Sequence, residues 1–172
     1  GAIAVLNAME NVGTKKILFP SSASVYGAVD ALSINEKHDC SPMQPYARSK
    51  YFIEQMVSDW SVATTNSSAV ILRYFNPIGA HTSGLIGESP IGNPTNIFPI
   101  IVKVANRELR EIKIFGNDWD TKDGTGVRDY IHVMDLAEGH VKAAEKMLKS
   151  HSQVVNLNLG TGKGTSVLEL IN

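Results

Sequence analysis

The chain has 172 residues, 43% of them hydrophobic and 19% charged, with a formal net charge of −1. This is ordinary globular composition with enough apolar residues for a core. It excludes a basic nucleic-acid surface and a cationic membrane-lying helix, and no apolar run is long enough to span a bilayer. The single cysteine, Cys40, excludes an internal disulfide and points to a reducing, cytoplasmic setting.

In chain order, "AIAVLNAMENV" predicts an amphipathic helix over 2–12, ended by Gly13. The chain opens on Gly1 directly before this helix and stops at "TSVLELIN", shortly after another begins, so the expectation is a fragment of a longer protein. "KKILF" predicts a strand over 15–20. It runs into "LFPSSASVYG", which puts Ser21, Ser22 and Ser24 at the strand's carboxyl edge. Turn solvation alone would account for those serines. A helix over 45–62 follows, with Pro45 suited to its first turn. Tyr46, Lys50, Ile53, Val57 and Trp60 share one face, and their apolar majority predicts that this face is buried. The tyrosine and lysine at its head admit two readings. One is a surface hydroxyl beside a lysine that snorkels outward. The other is an acid–base pair, because a phenol is a poor base near neutrality and a nearby ammonium favours its phenolate.

Beyond it, "AVILRYF" predicts a strand over 69–75, and a helix is predicted over 97–107. A strand over 111–115, a helix over 136–149, a strand over 154–159 and a helix from 166 complete the chain. Asp135 with Glu138, and Ser166 with Glu169, have capping-box spacing. Two long connections, 77–96 and 116–127, are rich in Gly, Pro, Asn and Asp, and loops of that length are more often functional than passive. The alternation predicts an α/β fold: a Rossmann-like, doubly wound, mostly parallel sheet, with part of a smaller substrate-binding region. Residues 1–76 would form half of a dinucleotide-binding domain. Residues 77–172 would mix substrate loops with strands returning to that domain.

Several motifs carry bland readings. "NSS" at 66–68 reads as a solvated loop. "GTGKG" at 160–164 lacks both dinucleotide and P-loop spacing and reads as a tight turn. His38, His81, His132, His140 and His151 form no metal pattern, and "DWDTKDG" lacks the terminal glutamate of a calcium loop, so no metal is expected.

Taken together, a serine at a strand end followed by Y-x-x-x-K on the next helix is the catalytic arrangement of short-chain dehydrogenases/reductases. The chain resembles the extended branch of that family, and within it the nucleotide-sugar 4-epimerases. The matching stretches are "SSASVYG" (21–27), "PYARSK" (45–50), "LRYFNPIGAH" (72–81), "IFGNDWDTKDGTGVRDYIHVMDLAEGH" (114–140) and "NLGTGKGTSVLE" (158–169). The resemblance implies NAD as cofactor and a UDP-sugar as substrate. The implied reaction interconverts UDP-galactose and UDP-glucose, in galactose metabolism, by oxidation at C4 and reduction from the other face. It implies Tyr46 as catalytic base, Lys50 on the nicotinamide ribose, and Ser22 beside the sugar hydroxyl. Ser21 and Tyr74 would lie at the nicotinamide end. Asn76, Asn96, Ile97, Phe115, Arg128 and Tyr130 would hold the nucleotide, with Arg128 on the diphosphate and Phe115 at the uracil. It also implies a homodimer through helices 2–12 and 45–62.

The departures are Pro20 in place of a serine-like residue, which removes a backbone N–H, Thr95 in place of an asparagine, and Lys113 in place of a small residue. The family's G-x-x-G-x-x-G fingerprint and its adenosine-binding acidic residue are not in this sequence. The alternatives are another nucleotide-sugar epimerase or dehydratase, or a truncated, non-catalytic remnant.

Overall fold

The computed structural model describes residues 1–29, 33–149 and 153–172, so His151 lies outside the described residues. The chain divides into two compact units. The first comprises residues 1–75 and 137–159, and the second comprises 76–136 and 160–172.

In the first unit, helix α1 (Ala2–Val12) stops where the sequence says it should. Gly13 takes φ 72°, and Thr14 N–H closes onto Met9 O at 2.9 Å. Strand β1 (Lys16–Ser22), helix α2 (Pro45–Ala63), strand β2 (Ser68–Tyr74) and strand β5 (Gln153–Leu159) follow. Between β2 and β5 in the chain lies helix α4 (Val133–Lys149), whose body belongs to this unit. The sheet order is β1-β2-β5, all parallel. Strand β2 is central, and its near-continuous apolar run is what a strand covered on both faces requires. On one face Ala69 and Ile71 pack with Leu6 and Met9 of α1 and Val57 of α2. On the other, Val70 and Leu72 pack with Ala143 and Met147 of α4. The sheet is therefore wound on both faces, as the alternation predicts.

The second unit holds strand β3 (Asn76–Ile78), helix α3 (Ile97–Ala105), strand β4 (Val127–His132), strand β6 (Gly164–Ser166) and helix α5 (Val167–Ile171). Strand β4 pairs parallel to β3 and antiparallel to β6.

Four expectations need correction. No strand forms over 111–115: no described strand pairs with that segment, and without a ladder its backbone stays irregular. Strand β4, unexpected from its charged "VRDYIH", forms because β3 and β6 supply ladders on its two sides. Helix α4 begins at Val133, three residues earlier than expected. Asp135 therefore lies inside its first turn, and the cap is His132, whose Nδ1 accepts from Met134 N–H at 3.2 Å. The Ser166–Glu169 capping box does form. The fourth correction concerns α2. Val57 of the expected face is buried and Ile53 and Trp60 pack half-buried against the core, but the other buried positions, Ala47, Glu54 and Ser61, lie one position round, so Tyr46 stays 57% exposed and Lys50 half-buried.

Candidate active site

The first unit gathers its site residues at the carboxyl edge of β1 and β2, where open α/β sheets bind ligands. Register does the positioning. Ser21 pairs with Arg73 and Ser22 with Tyr74, so successive residues alternate between the α2 and α4 faces. Tyr74 turns to α4, where its hydroxyl meets His140 Nε2 in a short hydrogen bond, with ring centroids 5.2 Å apart. Burial, reinforced by repulsion from Tyr46, pushes the Tyr74 phenol up, so it stays neutral around pH 7.

Ser22 Oγ lies 2.9 Å from Ser24 Oγ and accepts the Ser24 N–H at 3.2 Å, which pins the turn after β1. Pro45 opens α2 and Tyr46 follows at the exposed first turn. One turn later Lys50 folds back to the sheet, and its Nζ donates to Pro20 O at 2.9 Å. It also sits 5.3 Å from the Phe19 ring centroid and 5.7 Å from that of Tyr46, within cation–π range of both. An exposed phenol, an ammonium against its ring and a strand-end serine thus occupy one sheet edge.

Reasoning from sequence missed the group beneath them. Glu54 and Arg73 are 1% and 4% exposed. Arg73 grips the carboxylate through two nitrogens, Nη2 at 2.7 Å and Nε at 3.1 Å. Ser21 Oγ donates to the same carboxylate, Arg73 Nη1 donates to Tyr26 Oη at 3.0 Å, and Tyr26 donates to Asn158 Oδ1 at 2.7 Å. Burial pushes the Tyr26 phenol up against the opposing pull of Arg73, which keeps it a neutral donor. The arginine itself is held charged well above its ordinary range: burial opposes this, but the bonds to Glu54 and Tyr26 prevail.

In the second unit the β3–β4 register pairs Asn76 with Tyr130, and Arg128 lies two residues before Tyr130. These three side chains therefore project from one sheet face. Arg128 is exposed and donates to its neighbour's carbonyl, Val127 O, at 2.8 Å. Burial pushes the Tyr130 phenol up, partly offset by the Arg128 charge. Asn96 sits at the N-cap of α3 without capping it, and its amide lies 3.4 Å from Glu88 Oε1. Ile97 is the first residue of α3, and Phe115 is 87% exposed in the irregular 111–116 segment. Neither Asn96–Ile97 nor Phe115 is hydrogen-bonded to the Asn76–Arg128–Tyr130 group.

The "GTGKG" turn is occupied from within. Asp129 accepts Thr161 N–H at 2.9 Å, Thr161 Oγ1 at 2.8 Å and Gly162 N–H at 2.8 Å. The amides that a phosphate loop would offer an anion are already bound to a carboxylate. The "DWDTKDG" aspartates are likewise turn residues in part: Asp123 accepts from Thr125 and Ser166, and those bonds hold its carboxyl below the usual range.

The fold and this strand-edge site define a class, and comparison with known proteins agrees. Residues 1–158 match the NAD dependent epimerase/dehydratase family, and the chain belongs to that family. It is 51% identical over 171 residues to the UDP-glucose 4-epimerase of Bacillus subtilis, covering 99% of this chain and 50% of that protein. It is 49% identical to the human UDP-glucose 4-epimerase, covering 99% of this chain and 49% of that one. The crystal structure of UDP-glucose 4-epimerase from Bifidobacterium longum, in complex with NAD+ and UDP, superposes with a TM-score of 0.93 at 49% identity. That match covers 99% of this chain and 50% of that one. The chain spans about half the length of the curated relatives it matches.

Proposed function

We propose that this chain contributes the proton-transfer site of an NAD-dependent epimerase that interconverts UDP-galactose and UDP-glucose through a 4-keto sugar. The observation that carries the reading is the Tyr46–Lys50–Ser22 group at the carboxyl edge of a parallel sheet, with Lys50 Nζ 5.7 Å from the Tyr46 ring. Relatives near 50% identity named for that reaction support it.

The donor set at this sheet edge fits the nicotinamide–ribose end of NAD: the Lys50 ammonium lies against the Tyr46 ring, and Ser22 pairs in register with Tyr74, next to Ser21, whose own hydroxyl is given to Glu54. NAD, when bound, supplies the acceptance and return of hydride. The chain supplies the rest. Tyr46 Oη takes the proton of the sugar's C4 hydroxyl and later returns one, with the Ser22 hydroxyl orienting that oxygen. Lys50 places positive charge against the Tyr46 ring and favours the anionic oxygen the step requires. Neutral Tyr74 offers its phenol at the nicotinamide end. In the second unit, Arg128 and Asn76 take the diphosphate, where a planar guanidinium suits bidentate binding. Tyr130, Phe115, Asn96 and Ile97 take the nucleoside, anchoring one half of the substrate while the sugar turns.

We assign a homodimer through α1 and α2. Ile3, Val5 and Val12 on α1 and Phe52 and Val62 on α2 are exposed apolar side chains, the composition of a surface that self-associates. The setting we assign is cytoplasmic, consistent with one unpaired cysteine.

The test is conversion of UDP-galactose to UDP-glucose by the complete gene product, with Tyr46→Phe alongside. Turnover should fall at least ~100-fold in the variant while UDP binding is kept. Near-normal turnover by Tyr46→Phe would refute the assignment.

A further inference from the structure

Two rungs tie α2 to the end of β1, and they converge on one peptide group. Lys50 Nζ donates to Pro20 O at 2.9 Å, and one helical turn later Glu54 receives the Ser21 hydroxyl. The Pro20 carbonyl and the Ser21 amide nitrogen share a plane. Whatever fixes Ser21 therefore fixes the direction in which that carbonyl offers its lone pairs. The proline ring sets φ on the other side, leaving ψ as the one soft torsion of residue 20.

Glu54 is itself immobilised. Arg73 holds both of its oxygens, at 2.7 and 3.1 Å, and the Arg73 fork is anchored in turn on Tyr26 at 3.0 Å. Sheet register sets the level of the whole network, since Ser21, Arg73 and Asn158 are partners across β1, β2 and β5. Stability alone is a weak reason for such a pair, because apolar residues of similar volume replace buried ion pairs without loss in other proteins. What the pair adds over apolar packing is direction.

We propose that Glu54, backed by Arg73, is a positioning residue for Lys50: it clamps Ser21, and so aims the Pro20 carbonyl on which the ammonium is seated. The inference rests on the role assigned above to Tyr46 and Lys50. Lys50 is seated on the Pro20 carbonyl while Glu54 holds the Ser21 side chain next to it, and the distance of the ammonium to the Tyr46 ring follows from that seat rather than from the flexible lysine stem.

The test uses the complete gene product and the variant Glu54→Gln, which keeps volume and removes charge. Competitive acetylation, read by mass spectrometry without cofactor or substrate, compares Lys50 with the exposed Lys113. Loss of the clamp should raise the Lys50-to-Lys113 labelling ratio several-fold, whereas general unfolding would raise both. In the same variant kcat for UDP-galactose should fall about tenfold or more, with KM within about twofold, since a misaimed group costs turnover rather than ground-state binding. Ser21→Ala removes one rung and leaves the ion pair intact. It should move both readouts in the same direction by less, and it decides the matter if Glu54→Gln does not fold. The proposal is overturned if either the labelling ratio or kcat stays at the wild-type value in the folded variant. Tyr46→Phe, run alongside, judges the underlying functional reading separately, because the labelling ratio does not depend on turnover.

Discussion

Removing Arg73 alone should cost more stability than removing it together with Glu54. In Arg73→Met the Glu54 carboxylate stays 1% exposed, with the Ser21 hydroxyl as its remaining side-chain donor. Stranding one partner of a buried pair costs about 3–5 kcal/mol. Tyr26 loses the Nη1 donor but keeps its 2.7 Å bond to Asn158, so little is added there. Glu54→Leu should cost a similar amount by stranding the guanidinium. If the two losses were independent, the double variant would lose about 6–10 kcal/mol, enough to unfold most domains. In the double variant neither charge remains. The chief residual cost is the Ser21 hydroxyl left without an acceptor, about 1–3 kcal/mol. The double variant should therefore be more stable than either single variant. Urea unfolding of the four proteins, compared at equal m, measures this. A double variant whose loss equals the sum of the single losses would refute the argument that the two side chains act as one unit.

Asp129→Asn should loosen the 160–164 turn, because the carboxylate that now receives Thr161 and Gly162 is replaced by a single neutral acceptor oxygen. Since Asp129 lies between Arg128 and Tyr130, the expected result is a raised KM for the UDP-sugar at nearly unchanged kcat, with weaker UDP binding by calorimetry. Ser166→Ala should cost about 1 kcal/mol through loss of the capping box of α5. It should also alter the acid limb of stability. Asp123 has a depressed folded-state pKa, so its contribution is present above the ordinary aspartate value and is lost as pH falls through the lower folded value. Without the Ser166 bond that loss should be smaller, so the stability gap between the two proteins should narrow as pH falls through the depressed Asp123 value, leaving the contribution of the cap. Phe52→Asp, at a side chain 65% exposed on α2, should leave the fold intact and shift the protein towards monomer in sedimentation velocity. An unchanged oligomer would move the interface away from α1 and α2.

Much of this was legible because period and punctuation agree over most of the first unit. Gly13 needed only its lack of a side chain to announce a helix end, and "AVILRYF" needed only its apolar run to announce a central strand. The second unit was harder for a physical reason. "VRDYIH" has no strand-like alternation of apolar and polar residues, and "EIKIF" has one, yet the first forms a strand and the second does not. Ladder partners decide such segments, and the partners of β4 come from residues 76–78 and 164–166, far away in the chain. Local pattern carries no record of them.

The Glu54–Arg73 pair shows where the sequence held more than periodicity drew out. Apolar residues alone point to the α2 face that carries Ile53 and Trp60 and leave out Glu54. Yet Arg73 stands inside a strand expected to be covered on both faces, and a guanidinium there must find an anion. The helix over that sheet offers an acidic residue four positions after Lys50. Turning that residue inward rotates the buried stripe by one position, which exposes Tyr46 and brings Lys50 onto the Pro20 carbonyl. The phase of α2 is therefore set by a charge that must be paired as much as by its apolar residues. The Tyr46 phenol gains its exposure from that rotation.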